Sequence, residues 1–525
     1  MISKVSSSSI CGVDASKIQV EAICENNEKE KFVIIGLADS IVKESKERVT
    51  SALKSYGIIL PKKIIINLAP ADIPKEGSCL DLAIAISLMA SKGMLSQEKL
   101  DNISFHGELS LDGEINSIKG TVALVIEAKK NNIKTVIVPI KNYQEAKLIK
   151  NINVVPVRNL QDVLNFINKG EVIDTSDLKN KGLLSSNLLS IDDVWGQEQA
   201  KKALIICASG GHNLLMIGSP GCGKSMLAKR LPTILPDMSF EEKRMPSILP
   251  YLSEREILET VKIHSIANQP IKNIILGEAP FRSPHHNISE AGLIGGGSNP
   301  KPGEISLAHN GVLFLDEFPE FKRSALESLR APMENHFVNI SRSKMKVWLP
   351  ANFKLLAAMN PCPCGFFLSK TTKCHCTNAQ ILNYINKLSG PIIDRIDLHV
   401  EMQEVELSNV KNLKSAQKSY VNIREKIIEV KNLQFQRQKK LNSDLTGEEL
   451  ISNKHTAQNS LRFLEDISFK LKISARSYVK ILKVARTIAD LEDAPLILEH
   501  HIASALEYRK LDNLRNHINR LVGNF

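Results

Sequence analysis

The run "GSPGCGKS" places Gly218, Gly223, Lys224 and Ser225 at G-x-x-x-x-G-K-S spacing, between the apolar stretch "NLLMI" and the helix-like "MLAKRL". In a loop built from Gly218, Ser219, Pro220, Gly221, Cys222 and Gly223, backbone N–H groups can converge on the phosphates of a nucleotide at a helix N-terminus. Lys224 then adds charge and the Ser225 hydroxyl ligates Mg²⁺. A plain tight turn is the bland alternative, and the strand before and helix after it argue for ATP and Mg²⁺. A second run, "GVLFLDEFPEF", ends an apolar strand on Asp316 and Glu317. One carboxylate there suits the Mg²⁺ shell, and the next suits orienting and deprotonating an attacking water. A third, "NPCPCGFFLSKTTKCHC", sets Cys362, Cys364, Cys374 and Cys376 in two C-x-C pairs. Two such pairs joined by a loop that folds back can bring four sulfurs to one tetrahedral Zn²⁺. The usual pair spacing is C-x-x-C, so reduced, unliganded cysteines stay open as the alternative. His375, between two cysteines, is expected to point outward.

The elements that position these residues are legible from periodicity. Strands are expected at "IQVEAIC" and "KFVIIG" around the turn "ENNEKE", then an amphipathic helix across "DSIVKESKERVTSALKSYG" closed by Gly57. Next come "KKIIINLAP", the helix "LDLAIAISLMASKG", a hairpin through "ISFHGELSLDGEIN", and two further strand and helix pairs ending near Gly170. This gives an α/β domain over 1–170. Residues 171–190 are polar and serine-rich, a linker. A P-loop α/β core follows over 191–405, including the cysteine cluster at 362–376, and 406–525 has helical periodicity with no convincing strand. The charged stretch "KSAQKSYVNIREKIIEVKNLQFQRQKKLNSDLTGEE" reads as a solvated helix face rather than a DNA arm. From spacing alone, Arg395 in "GPIIDRIDLHV" and Arg476 in "SARSYVKIL" read as surface ion-pair residues, and Asn360 ends a core strand where it can reach a γ-phosphate or water.

A chain of 525 residues is too long for one core. No apolar run approaches the roughly 20 residues that span a bilayer. The N-terminal stretch has a single Lys and no apolar run of signal-peptide length, so a cytoplasmic, reducing location without disulfides is expected. Nine cysteines, five of them scattered, agree with that. The formal net charge of +11 suits a nucleic-acid partner but also occurs in proteins that bind none.

In order, "VWGQEQAKKAL", "GSPGCGKS", "PFRSPHH", "LFLDEFPEF", "AAMNPCPCG", "GPIIDRIDLHVE" and "SARSYVKILKVARTIADL" closely resemble the ComM/YifB group of magnesium-chelatase-like AAA+ ATPases, across essentially the whole chain. The resemblance implies a homo-oligomeric ring, expected to be a hexamer, with ATP between subunits and the 406–525 helices as a lid. Asn360 then matches the first sensor, Arg395 the finger on a neighbour's nucleotide, and Arg476 the second sensor. The segment "GEAPFRSPHHNISEAGLIGGGSNPKPGEISLAHNG" looks like a helix insertion and "FVNISRSKMKVWLPANF" like a hairpin, both facing a central pore in related motors. Arg342, Lys344 and Lys346 are then candidate DNA phosphate contacts, although a solvated basic turn looks the same. The implied function is ATP-driven DNA branch migration or helicase activity during natural transformation. A chelatase-like motor acting on a protein or metal-insertion partner without DNA is the alternative.

The N-terminal domain resembles the proteolytic domain of Lon and the C-terminal domain of RadA, which raises a protease reading. "PADIPKEGSCLDLAIA" puts Cys79 about where Lon has its serine, but Val122 stands where Lon has its lysine, and Lys119 is three residues away. A valine cannot take a nucleophile's proton, so a non-proteolytic platform is expected. On the same template the cysteine cluster lies between first sensor and finger. It is expected to stiffen the chain beside a subunit interface, apart from the P-loop.

Overall fold

The computed structural model describes residues 2–25, 31–175, 191–234, 250–275, 277–297, 300–342, 345–369, 371–404, 422–452, 454–471 and 473–509. The N-terminal unit is built on a seven-stranded sheet: β1 (Ile2–Cys11), β2 (Asp14–Glu25), β3 (Lys31–Ile35), β4 (Lys63–Ala69), β5 (Ile103–Phe105), β8 (Thr135–Pro139) and β9 (Asn153–Val157), with a small separate hairpin of β6 (Glu108–Leu109) and β7 (Ile115–Asn116). The order is β3-β4-β2-β1-β5-β8-β9. Before the strand expected at "IQVEAIC" the structure adds β1, a strand that the sequence reading does not predict; β1 pairs β2 from Ile2 opposite Ile23 to Cys11 opposite Asp14. The serine run hides this strand from an apolar-pattern reading. Its buried hydroxyls are satisfied inside: Ser3 Oγ donates to Ser87 O at 2.6 Å and Ser7 Oγ to Phe105 O at 2.7 Å. The expected hairpin through 103–116 also divides, since β5 joins the large sheet in parallel with β1 and β8 while only β6 and β7 pair as a hairpin.

The helix Ser40–Ser55 starts where Asp39 accepts from Val42 N–H, and Gly57 follows its end with φ +71°. The helix Asp81–Ser91 is buried on every face, as its near-continuous apolar sequence requires. Its one charge, Asp81, is held by Arg48 Nε at 2.6 Å.

The second unit carries β10 (Leu214–Gly218), β11 (Phe281–Arg282), β14 (Val312–Leu315), β17 (Lys354–Met359) and β18 (Leu398–Met402) in one sheet ordered β11-β14-β17-β10-β18. All its pairings are parallel. Strands buried on both faces explain the unbroken apolar runs "LLMI" and "VLFL". Two antiparallel ribbons accompany it, β12 (Gly295–Gly296) with β13 (Lys301–Pro302) and β15 (Phe337–Arg342) with β16 (Met345–Pro350), the second with Val338, Ile340, Val347 and Leu349 buried in the core. Helices Ile423–Gln438, Gly447–Ile451, Gln458–Leu471, Ala475–Leu491 and Glu499–Leu506 follow and share one core with the helix Glu198–Gly210 and with β10, β14, β17 and β18. Of the expected linker, 176–190 lies outside the described residues, as does 405–421 before the helical tail.

The N-terminal unit is packed on the second one. Val122 and Val125 share a cluster with Ile257, Val261 and Ile274, and Val13 lies in the core of the second unit with Val347. Among the described residues no helix is long and apolar enough to cross a membrane.

Candidate functional site

In a parallel sheet, ligands sit beyond the carboxyl ends of the strands, and here three neighbouring strands deliver the chemistry there. β10 ends on Gly218, β14 runs into Asp316 and Glu317, and β17 runs into Asn360. Gly221 and Gly223 take φ of +80° and +92°, the left-handed region, and a Cβ on either would meet nothing within 4 Å. Gly218 is different: a Cβ there would lie 2.7 Å from Met402 O, so only glycine lets the loop leave the strand at this point.

Lys224 opens the helix Lys224–Ala228 and is buried. Its Nζ donates to Gly218 O at 2.6 Å, to Ser219 O at 2.9 Å and to Asn360 Oδ1 at 3.1 Å. Burial pulls its pKa down, with Cys222, Asp316 and Glu317 opposing. Ser225 Oγ donates to Asp316 Oδ2 at 2.5 Å, which pairs a hydroxyl and a carboxylate of the kind that hold Mg²⁺. An ammonium group caged by loop carbonyls beside a Ser–Asp oxygen pair is the donor set a metal-bound polyphosphate needs, so the residues present fit ATP and Mg²⁺.

Glu317 sits at φ +51°, an uncommon conformation for a residue with a side chain. Its Oε2 is 3.0 Å from His286 Nδ1, and the His286 ring packs against His285 at 4.1 Å and edge-on to Phe321 at 6.4 Å. Sequence reasoning gave His286 no role, although "PFRSPHH" was visible as a motif. Nothing in its spacing ties it to a residue 31 positions later; only the parallel pairing of β11 with β14 does so.

The two arginines do not join this cluster. Arg395 Nη2 pairs with Glu334 at 2.7 Å and its Nη1 donates to Pro391 O at 2.8 Å. It lines a polar cavity of about 400 Å³ with Lys354, Asp397, Lys480 and Lys483. Arg476 is exposed in the first turn of the helix Ala475–Leu491. Among the described residues, neither has a hydrogen bond or ion pair to the P-loop. Of the candidate DNA contacts, Lys344 lies outside the described residues, Arg342 closes β15 opposite Met345, and Lys346 is exposed with its Nζ 5.2 Å from the Trp348 ring centroid.

Likenesses to known proteins bear on these observations. The family model described as magnesium chelatase, subunit ChlI, matches residues 190–244 and 242–410, that for subunit ChlI of Mg-chelatase matches 20–142, and that for the ChlI C-terminal matches 417–509. The chain is 39% identical over 508 residues to Competence protein ComM of Haemophilus influenzae, covering 96% of each chain. It is 39% identical over 515 residues to the uncharacterized protein YifB of Escherichia coli, covering 97% of each. The chain belongs to the ComM/YifB family of magnesium-chelatase-like proteins. A shorter stretch of 127 residues, 23% of this chain, is 31% identical to Lon protease of Helicobacter pylori.

At the positions the Lon likeness suggests, this ComM/YifB chain has Cys79 and Val122. Cys79 is buried, and burial pushes its thiol up to about 12. Val122 is fully buried, and Lys119 is exposed on the rim of a cavity of about 580 Å³ that Cys79 also lines.

The four cluster cysteines do come together, with every sulfur within 4.8 Å of the others. Cys362 Sγ is 3.3 Å from Cys364 Sγ and 3.7 Å from Cys374 Sγ, and Cys364 Sγ is 3.5 Å from Cys374 Sγ. Four Zn–S bonds of about 2.3 Å in a regular tetrahedron would put the sulfurs about 3.8 Å apart, so the donors fit Zn²⁺. His375 is exposed and outside the group. The expectation that this cluster stands apart from the P-loop is corrected. Gly365 lies against the P-loop so closely that a Cβ on it would fall 2.7 Å from Pro220 Cδ.

Proposed function

We propose that this protein is an ATPase that assembles as a ring and drives movement on DNA, with branch migration as its work. The observation that carries the ATPase reading is the joint placement of Lys224 with Asn360 and of Ser225 with Asp316. Lys224 and the loop N–H groups bind and orient the phosphates. Ser225 and Asp316 would hold Mg²⁺, which neutralises phosphate charge when bound. Glu317 takes the proton of the attacking water, and Asn360 orients that water or the γ-phosphate. Arg395, away from its own P-loop, acts on the nucleotide of a neighbouring copy, and Arg476 serves as the second sensor on the helical lid. Cys362, Cys364, Cys374 and Cys376 hold one structural Zn²⁺ per chain.

The DNA part rests on the family likeness, the name Competence protein ComM of the Haemophilus relative, and the exposed Lys346 on the β15–β16 ribbon. A protease reading is disfavoured by the buried, high-pKa Cys79 and by Val122. The test measures ATP hydrolysis with no DNA and with single-stranded, duplex and branched DNA. Stimulation by DNA, strongest on branched substrates, is expected; none at all would favour a chelatase-like motor acting on another partner. In the same assay Lys224→Ala should lose nucleotide binding, whereas Glu317→Gln should keep it and lose about 10²–10⁴ in turnover. Hydrolysis at the unmodified rate by Glu317→Gln would remove Glu317 from its role.

A further inference from the structure

Residues 360–377, between β17 and the helix Asn378–Ile385, contain no helix or strand among the described positions, yet this segment meets the P-loop at two points, Gly365 and Asn360. Gly365, with φ +86°, presses its backbone against Pro220. Thr371 Oγ1 donates to Glu404 Oε2 at 2.6 Å, just past the end of β18, the strand that pairs with β10. Asn360, two residues before the first cysteine, accepts from Lys224 at 3.1 Å. A segment without ladder hydrogen bonds needs another restraint to hold such positions, and the four sulfurs are the feature gathered at its centre.

We propose that metal bound by Cys362, Cys364, Cys374 and Cys376 sets the shape of the phosphate loop, so that zinc occupancy controls nucleotide affinity. The inference rests on the zinc reading given above and goes beyond it. A clip placed for ring assembly alone would leave the affinity of a single subunit for ATP unchanged. A clip bearing on Pro220 and Lys224 does not, because losing it releases the segment that fixes both the loop's outer wall and the ammonium group's third partner.

The experiment uses the full chain and two readouts, zinc by elemental analysis and the affinity for a fluorescent ATP analogue in excess Mg²⁺. Cys374→Ser with Cys376→Ser should release the zinc and weaken nucleotide binding by about tenfold or more, the range of typical coupling between two sites. Gly365→Ala keeps all four thiols and should keep the zinc, while its Cβ displaces Pro220 and weakens binding in the same direction. Should the double variant fail to fold, zinc is stripped from the unmodified protein with a zinc-selective chelator. Affinity should fall and return when Zn²⁺ is added back. Zinc that is present and removable without any change in nucleotide affinity overturns the coupling and leaves the metal site standing. Protein purified without chelator that contains no zinc overturns the metal site, and the coupling with it.

Discussion

Asp397 ties the helical tail to the sheet, and removing its charge should loosen that junction and disturb Arg395 at once. The carboxylate is 3% exposed. It accepts from Asn213 N–H at 2.8 Å, pairs with Lys480 of the helix Ala475–Leu491, and lies 3.9 Å from His212 Nδ1. Burial by itself would raise its pKa, but Lys480, His212 and the Asn213 N–H outweigh it and hold the carboxyl at about 2. Against an ordinary aspartate near about 3.9, this is worth about 2–3 kcal/mol to the folded state. The folded pKa lies below the unfolded one, so the stabilisation is complete above about pH 4 and is lost as pH falls through about 2. Asp397→Asn discards that term and leaves Lys480 and His212 facing a neutral group. Breaking a buried pair costs about 3–5 kcal/mol, and Lys480, which can turn partly to solvent, puts the expectation near about 3. In a chain of several units a single unfolding midpoint is ill-defined, so hydrogen exchange is the assay. Amides of Ala475–Leu491 should exchange about a hundredfold faster at neutral pH, with β1 and β2 unchanged. Because Lys480 Nζ also donates to Arg395 O at 3.0 Å, ATPase activity should fall in the same variant. Exchange in that helix within about threefold of the unmodified protein, or acceleration spread equally through β1, would refute the argument.

If Arg395 acts across subunits, Arg395→Ala protein mixed with Lys224→Ala protein should recover activity at mixed interfaces, and no recovery in rings shown to be mixed would return Arg395 to its pairing with Glu334 as its whole role. His286→Ala should lower kcat about tenfold with KM nearly unchanged, since only the aim of the Glu317 carboxylate is lost; a change confined to KM would count against this. On the DNA reading, Arg342→Ala with Lys346→Ala should weaken binding across sequences and flatten its dependence on salt, measured by titration of labelled single strands at several ionic strengths, and an unchanged slope would place the DNA site elsewhere.

What the sequence displayed, and what it concealed, follows from the range over which each signal acts. The P-loop, "LFLDE" and the strand before Asn360 are local patterns, each a buried parallel strand followed within a few residues by its polar groups, and the sheet order β14-β17-β10 brings their ends together. The helix Ser40–Ser55 announces itself by its cap and its glycine stop. β1 was not legible, because its inward face uses serines whose partners, Ser87 O and Phe105 O, lie more than eighty residues away. Apolar alternation cannot report a strand whose buried positions are satisfied by hydrogen bonds.

The cysteine cluster shows the same limit from the functional side. Its spacing announced four sulfurs able to meet, and they do, but which surface the gathered loop bears on is a tertiary fact. In chain order, 136 residues separate Lys224 from Asn360, and the cysteines follow Asn360 rather than the P-loop. The parallel pairing of β10 with β17, Ile217 opposite Met359, removes that distance and sets the segment after β17 directly over the loop after β10. Any metal clip that begins three residues past the end of β17 must therefore lie against the phosphate site, and Gly365, where a side chain would strike Pro220, is the residue that lets it lie so close.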